Sequence, residues 1–587
     1  MDKDTVARII DEIGTLLELE GENSFRCNAY HNAARVLHQL EGDLTALVAE
    51  GRLGDVPGIG ATLCEKITTL VKTGKLPLYD ELRARVPAGL RAMLRVPGLG
   101  PKKVKALHDQ LGVDDLAKLK DACETDRVAS LKGFGAKTQK KILDGLAFLD
   151  SIGHRVRIDE AQVLVDRLLA ALQQCPGIQR LEVCGSFRRR RETVADLDFL
   201  VACDDDSAPI TQHFCSLPGV TQILAQGATK SSVLIERGLV DGRQLAIQAD
   251  LRIVASKQFP FALHYFTGSK EHNIAMRALA QEHGLKLNEY ELAGPKKSIA
   301  CREETDLFEA LGLQYIPPEL REATGEIEAA AQRRLPRLVS LDEMRGTFHC
   351  HTTASDGAAT LAQMADAARR LGFAYLGIAD HSQSLTVANG LSPARVRKQH
   401  AEIDSLNKRL PGFTVFKGIE CDILQDGSLD YNADVLATFD YVVASVHTHF
   451  NMPEAEMTAR IIKAIEHPRT TMLGHATGRL LLRREGYKVD LDAVLRAAAQ
   501  HGVLVEINAS PYRLDLDWIH CKRAKALGVQ LVVNPDAHAT DEIANVRFGI
   551  DVARRGWLEA GDVFNTRSVN AVAAHFAARR ARADKTD

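Results

Sequence analysis

The sequence predicts a multidomain chain of α and α/β architecture, and three observations carry that reading. Glycine-rich segments recur between helix-like stretches before residue 140. Further on, strand-like apolar runs carry Asp196, Asp198 and Asp250. From residue 346 onward, apolar runs alternate with helix-like stretches, and run after run ends in a histidine or a carboxylate. A chain of 587 residues with 45% apolar and 26% charged residues can bury more than one core. Its formal charge of −3 excludes a uniformly basic nucleic-acid coat, so any such contact falls to local patches such as Arg188–Arg191. Eleven cysteines form no C-x-x-C pair, the N-terminus opens on a charged amphipathic stretch, and no apolar run reaches the ~20 residues that span a bilayer. Reduced thiols, a cytoplasmic location and no membrane contact are expected.

In chain order, the first elements are three segments with one apolar-x-Gly-apolar-Gly pattern. They are Val56-Pro57-Gly58-Ile59-Gly60, Val96-Pro97-Gly98-Leu99-Gly100 and Leu131-Lys132-Gly133-Phe134-Gly135. The glycines allow a tight hairpin whose backbone N–H groups, with the next helix N-terminus, face outward as an anion site. Lys102, Lys103, Lys137, Lys140 and Lys141 follow the second and third hairpins, where they either meet phosphates or form a solvated helix face. The segments resemble helix-hairpin-helix units, which hold DNA backbone without reading sequence.

The next element is the run Cys184-Gly185-Ser186-Phe187-Arg188-Arg189, followed by Asp196-Leu197-Asp198 inside a second apolar run. Residues two apart on a strand share a face, so the two carboxylates repel unless a cation lies between them. Asp250, in Ala249-Asp250-Leu251-Arg252-Ile253-Val254, completes an all-oxygen set suited to Mg2+ or Mn2+. D-x-D alone fits a solvated strand edge equally well; Gly-Ser upstream and Asp250 downstream favour a metal-polyphosphate site. The segment resembles the palm of family X DNA polymerases. The stretch His264-Tyr265-Phe266-Thr267-Gly268-Ser269 through Asn273 and Arg277 resembles that family's nucleotide-selecting subdomain. The resemblance implies a nucleotidyltransferase-type palm with a mixed β-sheet and two-metal chemistry on Asp196, Asp198 and Asp250. It further implies that Gly185, Ser186 and Arg189 meet the triphosphate. Tyr265, Phe266 and Gly268 would flank the sugar, and Asn273 and Arg277 would face the minor groove.

The last third supplies His349 and His351, Asp380-His381, Glu420, His447, His475, and Asp536 with His538, each at the end of an apolar run. Alternating β and α elements imply parallel strands, and a closed barrel would gather these ends on one face. Eleven of the twenty histidines fall between residues 349 and 538, which stability alone does not require. His400, His467, His501 and His520 read as structural. The set resembles the PHP domain, a metal-dependent phosphoesterase with a distorted (β/α)7 barrel. That resemblance implies up to three divalent ions (Mn2+, Zn2+ or Fe2+). The first would take His349, His351, Glu420 and Asp536; the second Glu420, His447 and His475; the third Asp356, His381 and His538. Arg479 and Glu506 to Arg513 either line a DNA entrance or serve the strand-to-loop structure.

Together the regions resemble the bacterial and archaeal PolX enzymes, family X DNA polymerases fused to a PHP domain. The implied division is a gap and 5′-phosphate-binding domain at 1–85, helix-hairpin-helix DNA binding at 86–150, a palm at 151–258, nucleotide selection at 259–320, a linker at 321–345 and the PHP domain at 346–575. The implied activity is short-gap DNA synthesis in repair with a 3′-5′ exonuclease, acting as a monomer on gapped or nicked DNA and deoxynucleoside triphosphates. AP endonuclease activity is a further family option. In family members with lyase activity, the lysine matching Lys66 forms a Schiff base with an abasic sugar. Here Thr62 replaces a lysine and Phe25 a histidine of the matching pocket, which leaves lyase chemistry open. The rival reading is a PHP repair nuclease whose polymerase core only clamps DNA.

Overall fold

In the computed structural model, residues 3–38, 40, 44–153, 155–240 and 243–585 are described. Residues 1–154 form one compact unit and most of the remainder another. The first unit is helical. In its three hairpins the residue between the glycines turns inward: Ile59, Leu99 and Phe134 are buried, whereas the glycines on either side are exposed. Ile59 N donates to Val56 O at 3.1 Å, Leu99 N to Val96 O at 3.0 Å and Phe134 N to Leu131 O at 3.1 Å. These are one repeated tight turn. Its third residue has a positive φ in every copy, 95° at Gly58, 85° at Gly98 and 90° at Gly133, a conformation that glycine adopts without steric cost. Helices Ala61–Thr73, Pro101–Leu111 and Gly135–Ile152 follow the turns directly.

The second unit begins with a five-stranded mixed sheet. Its strand order is Arg180–Val183, Asp196–Ala202, Arg243–Val254, Lys230–Val240 and Val220–Gln226. Asp196–Ala202 runs antiparallel to Arg180–Val183 and parallel to Arg243–Val254. The alternation Leu197, Phe199, Val201 buries one face, which leaves Asp196 and Asp198 together on the other. Helices Phe259–Thr267 and Lys270–Glu282 follow the sheet. Residues 321–345, expected as a linker, carry the helix Glu326–Ala331 and fully buried Arg321 and Val339. Val339 N donates to Leu558 O at 2.9 Å, while Arg321 donates to Glu304 at 2.6 Å and Glu326 lies 2.8 Å from His272, so this segment packs against both the domain that follows and the subdomain before it.

That domain is a nearly closed barrel of seven parallel strands in chain order: Gly346–Cys350, Tyr375–Ile378, Thr414–Asp422, Tyr441–Ser445, Met472–Leu473, Leu504–Asn508 and Leu531–Asn534. First and last strands meet through a parallel bridge of Cys350 with Ala537, and Thr347 Oγ1 donates to Val533 O at 3.0 Å. Every strand is buried along its length or nearly so, which is why its apolar runs read as continuous rather than alternating. Phe348, Tyr375, Phe416 and Tyr441 form an aromatic cluster with Phe564 and Phe576. Glycines make room for these rings. A Cβ on Gly418 would lie 2.2 Å from Tyr441 Cζ and 2.5 Å from Ile378 O, and one on Gly377 would lie 2.4 Å from Phe348 Cδ1. Tyr441 keeps its buried hydroxyl satisfied by donating to Ile378 O at 2.8 Å. Gly418→Ala is therefore expected to destabilise the chain by about 1–3 kcal/mol or more through overpacking, read from the unfolding midpoint in denaturant. A midpoint equal to the parent's would mean that the ring and strand shift at no cost.

Candidate functional site

The predicted polymerase residues converge on one cleft of about 380 Å3. Gly185, Ser186 and Arg189 line it with Asp196 and Asp198, and from the adjoining helices come Tyr265, Phe266, Gly268, Asn273 and Arg277. Asp250 stands beside Asp198 in strand register. Gly185 has φ of 63°, and a Cβ there would fall 2.1 Å from Asp198 Oδ2, so only glycine lets the backbone approach this carboxylate. Burial, then the charges of Asp196 and Asp250, push Asp198 up to about 7. Asp196 is raised by burial and by Asp250. Asp196 and Asp198, with Asp250 beside them, form the crowded oxygen donor set that hard divalent cations stabilise.

The arginines beside this cleft correct one expectation. Arg188–Arg191 are not a free patch for nucleic acid, because each faces a carboxylate. Arg188 reaches Glu304 at 2.9 Å, Arg189 reaches Glu322 at 3.1 Å, Arg190 lies 3.9 Å from Asp551 and Arg191 3.7 Å from Glu322. Arg189 also donates to Thr267 O at 2.6 Å. A Cβ on Gly268 would lie 3.1 Å from Arg189 Nη1, which explains glycine at the next position.

At the carboxyl ends of the barrel strands, all nine expected ligands come together. Glu420, 1% exposed, is the hub. Its Oε1 lies 2.9 Å from His475 Nε2, 3.1 Å from His447 Nε2 and 3.2 Å from His349 Nε2, and its Oε2 lies 2.9 Å from His381 Nδ1. Asp536 Oδ1 is 3.2 Å from His351 Nε2. Asp356 stands 3.5 Å from both His381 and His538. The grouping differs in detail from the expected one. His351 faces both the Asp536 side and the Asp356 side, and His381 faces both Asp356 and Glu420.

This donor set fits divalent metal ions. His351 has both ring nitrogens buried without hydrogen-bond geometry to any partner, and His349 Nε2 and His381 Nδ1 are in the same condition, although carboxylate oxygens lie within 4 Å. Imidazole nitrogens aimed at carboxylates without bonding them are what shared coordination of a cation requires. Crowding among the rings points the same way: His351 and His538 stack at 4.1 Å, and burial, then His538 and His381, pull His351 down to about 3. Burial would lower His349 as well, but Glu506 and Glu420 hold it well above its ordinary range. His349 and Asp536 also adopt positive φ, 55° and 53°, a conformation costing about 1–3 kcal/mol that clusters at functional sites.

Two buried carboxylates outside the expected set hold the ligands in place. Glu506 Oε2 lies 2.6 Å from His349 Nδ1 and accepts from Asn534 Nδ2 at 2.8 Å. Its Oε1 accepts from His475 N at 3.0 Å and Asn508 Nδ2 at 2.9 Å. Asp422 Oδ1 lies 2.5 Å from His447 Nδ1. Glu506 and Asn508 are fully buried, so they belong to the ligand scaffold and not to a DNA entrance. Arg479 donates to Arg513 O at 3.0 Å, a loop-tying role. The signal available in sequence was a polar residue two positions along a strand, Glu506 with Asn508 and Glu420 with Asp422. In the helical unit, Tyr30 is buried, Lys66 is half-buried and Phe25 is 84% exposed.

Family models match four parts of the chain. Residues 1–76 match a helix-hairpin-helix domain, 90–147 a SAM-like helix-hairpin-helix tandem, 262–322 the DNA polymerase beta thumb and 347–510 the PHP domain. The chain is 38% identical to the DNA polymerase/3′-5′ exonuclease PolX of Bacillus subtilis, over 98% of this chain and 99% of that protein. It is also 26% identical to DNA polymerase lambda of Rattus norvegicus over 46% of this chain and 48% of the relative. A probable phosphatase of Thermoanaerobacter matches at 27% over 37% of this chain and 89% of the phosphatase. A polymerase-type cleft and a PHP-type ligand cluster in one polypeptide define the class. The chain belongs to the PolX family, the family X DNA polymerases joined to a C-terminal PHP domain.

Glu506→Gln is expected to weaken metal binding at the barrel about 10–100-fold, because an amide donor would then face the donors that Glu506 now accepts from. Competition titration of Mn2+ against a chromogenic chelator reads this directly. Unchanged affinity in a folded variant would remove Glu506 from the ligand scaffold.

Proposed function

We propose that this chain fills short gaps in DNA by nucleotidyl transfer in the cleft and removes 3′ nucleotides at the barrel centre. The observation carrying the reading is the register of Asp198 beside Asp250, with Arg189, Asn273 and Arg277 lining the same cleft. In this reading Asp196, Asp198 and Asp250 hold Mg2+ or Mn2+, which when bound activates the primer 3′ hydroxyl and neutralises charge on the leaving pyrophosphate. Arg189, with Gly185 and Ser186, binds the triphosphate, and the Tyr265-Phe266 pair bounds the sugar. Asn273 and Arg277 reach the minor-groove edge of the new pair.

At the barrel, His349, His351, Asp356, His381, Glu420, His447, His475, Asp536 and His538 would hold up to three Mn2+, Zn2+ or Fe2+ ions. The metals supply a water of lowered pKa and a Lewis acid for the phosphodiester. The hairpins at Gly58-Gly60, Gly98-Gly100 and Gly133-Gly135 grip DNA backbone through exposed N–H groups. The gap's 5′ phosphate falls to the first helical domain. Lys66 is assigned phosphate binding there. All eleven cysteines are free, which suits a reducing cytoplasm, and no helix among the described residues is long and apolar enough to cross a membrane.

One gapped duplex tests the assignment. Asp250→Ala should lower nucleotide addition on the order of a thousandfold and spare manganese-dependent 3′ degradation. Glu420→Ala should do the reverse in protein whose folding and metal content have been verified. Near-normal synthesis by Asp250→Ala would reject the cleft as the polymerase site, and full degradation by Glu420→Ala would place the nuclease elsewhere.

A further inference from the structure

The barrel domain meets the wall behind the nucleotide cleft through the buried guanidinium of Arg555. Arg555 ends the helix Val546–Arg555 that covers the barrel, and its side chain is fully buried. It does not turn back toward the metal centre. Its Nη1 donates to the backbone oxygen of Arg189 at 2.9 Å and lies 3.3 Å from Glu322 Oε1. That carboxylate oxygen accepts from Arg189 Nε at 3.1 Å, while Arg189 Nη1 donates to Thr267 O. Arg189 lines the cleft, so its guanidinium is held at two points beside the space assigned to a triphosphate.

Burying an arginine costs several kcal/mol, and an apolar residue of similar volume often serves a core as well or better. Burial lowers the pKa of Arg555. Within the barrel its guanidinium lies over the Trp518 ring at 5.0 Å, a contact that leaves Nε and Nη2 without hydrogen-bond partners. The geometry toward the cleft supplies a reason for an arginine: Glu322 faces Arg189, Arg191 and Arg555, and only Arg555 binds both the carboxylate and the backbone of Arg189.

We infer that Arg555 is a positioning residue for nucleotide binding, acting through Glu322 to preset Arg189, so that the PHP barrel forms part of the polymerase's triphosphate pocket. The inference rests on the proposed assignment of the cleft to nucleotidyl transfer. Without Arg555, Glu322 keeps its charge but loses its fixed rotamer, and Arg189 must be ordered when the nucleotide arrives. Ordering one long side chain costs about three- to tenfold in affinity.

The test is steady-state filling of a one-nucleotide gap by full-length protein carrying Arg555→Met, Arg555→Lys, Glu322→Gln or the Met and Gln changes together. Expected are a nucleotide KM raised about three- to tenfold with kcat within about twofold, partial recovery in Arg555→Lys, and a double variant no worse than the poorer single one. Manganese-dependent 3′ degradation and the unfolding midpoint verify that the barrel is intact. A purely structural arginine would lower kcat and nuclease activity together at unchanged KM, and that result overturns the inference. So does a lower KM in Glu322→Gln, which would make Glu322 a competitor for Arg189. Should Arg555→Met fail to fold, the isosteric Glu322→Gln decides alone. Absence of gap filling by the parent protein would instead reject the assignment of the cleft.

Discussion

Glu420 is a carboxylate almost sealed from water, and four histidine nitrogens lie within 3.2 Å of its two oxygens. Moving such an ion out of water costs of order 20 kcal/mol in the idealised limit and several after relaxation, so its neighbours must neutralise it. Hydrogen bonds meet that demand only in part, since His475 Nε2 bonds Oε1 at 2.9 Å. Three imidazoles compete for Oε1, and the facing nitrogens of His349 and His381 lack bonding geometry. Much of the barrel's construction follows from this. Parallel strands bring their carboxyl ends to one face, His349 and Asp536 take a strained backbone conformation to present their side chains, and Glu506 and Asp422 anchor the far nitrogens of His349 and His447.

The cleft meets a milder form of the same constraint. Asp196, Asp198 and Asp250 stand on adjacent strands of one sheet, and Arg189 is the cation that helps Asp198 most among its neighbours. The site is open to solvent. Its electrostatics are completed at a distance: Glu322 and Arg555 fix Arg189 from behind, and Arg190 meets Asp551 one turn before Arg555. The basic cluster that sequence suggests for nucleic acid is thereby absorbed into a charged seam within the second unit.

What sequence made legible was chemistry with a local signature. Gly185, Asp196 and Asp198 lie within one short segment and most barrel ligands end apolar runs, whereas Asp356, in a polar loop, was named only through the resemblance to the PHP domain. The repeated turn was legible because its glycine needs a positive φ that other residues resist. Glu506 was not, since a glutamate inside an apolar run looks the same whether it points to solvent or to a buried imidazole. Nor were the partners of Arg188–Arg191, because Glu322 and Asp551 lie more than 100 residues away and nothing local marks the pairing. The same holds for the fine grouping of ligands. His351 and His381 each serve two carboxylates, a fact of three-dimensional packing rather than of motif.

The central claim is that the buried imidazole and carboxylate groups are arranged around cations. Anomalous diffraction from crystals of the full-length protein grown with Mn2+, collected above and below the manganese edge, tests it most directly. The account predicts separate peaks beside Glu420 within reach of His447, beside Asp536 within reach of His349, and beside Asp356 within reach of His538, with a further peak between Asp198 and Asp250. A loaded crystal in which Glu420 is bonded directly to its histidines and no peak lies within coordination distance of it would contradict the account.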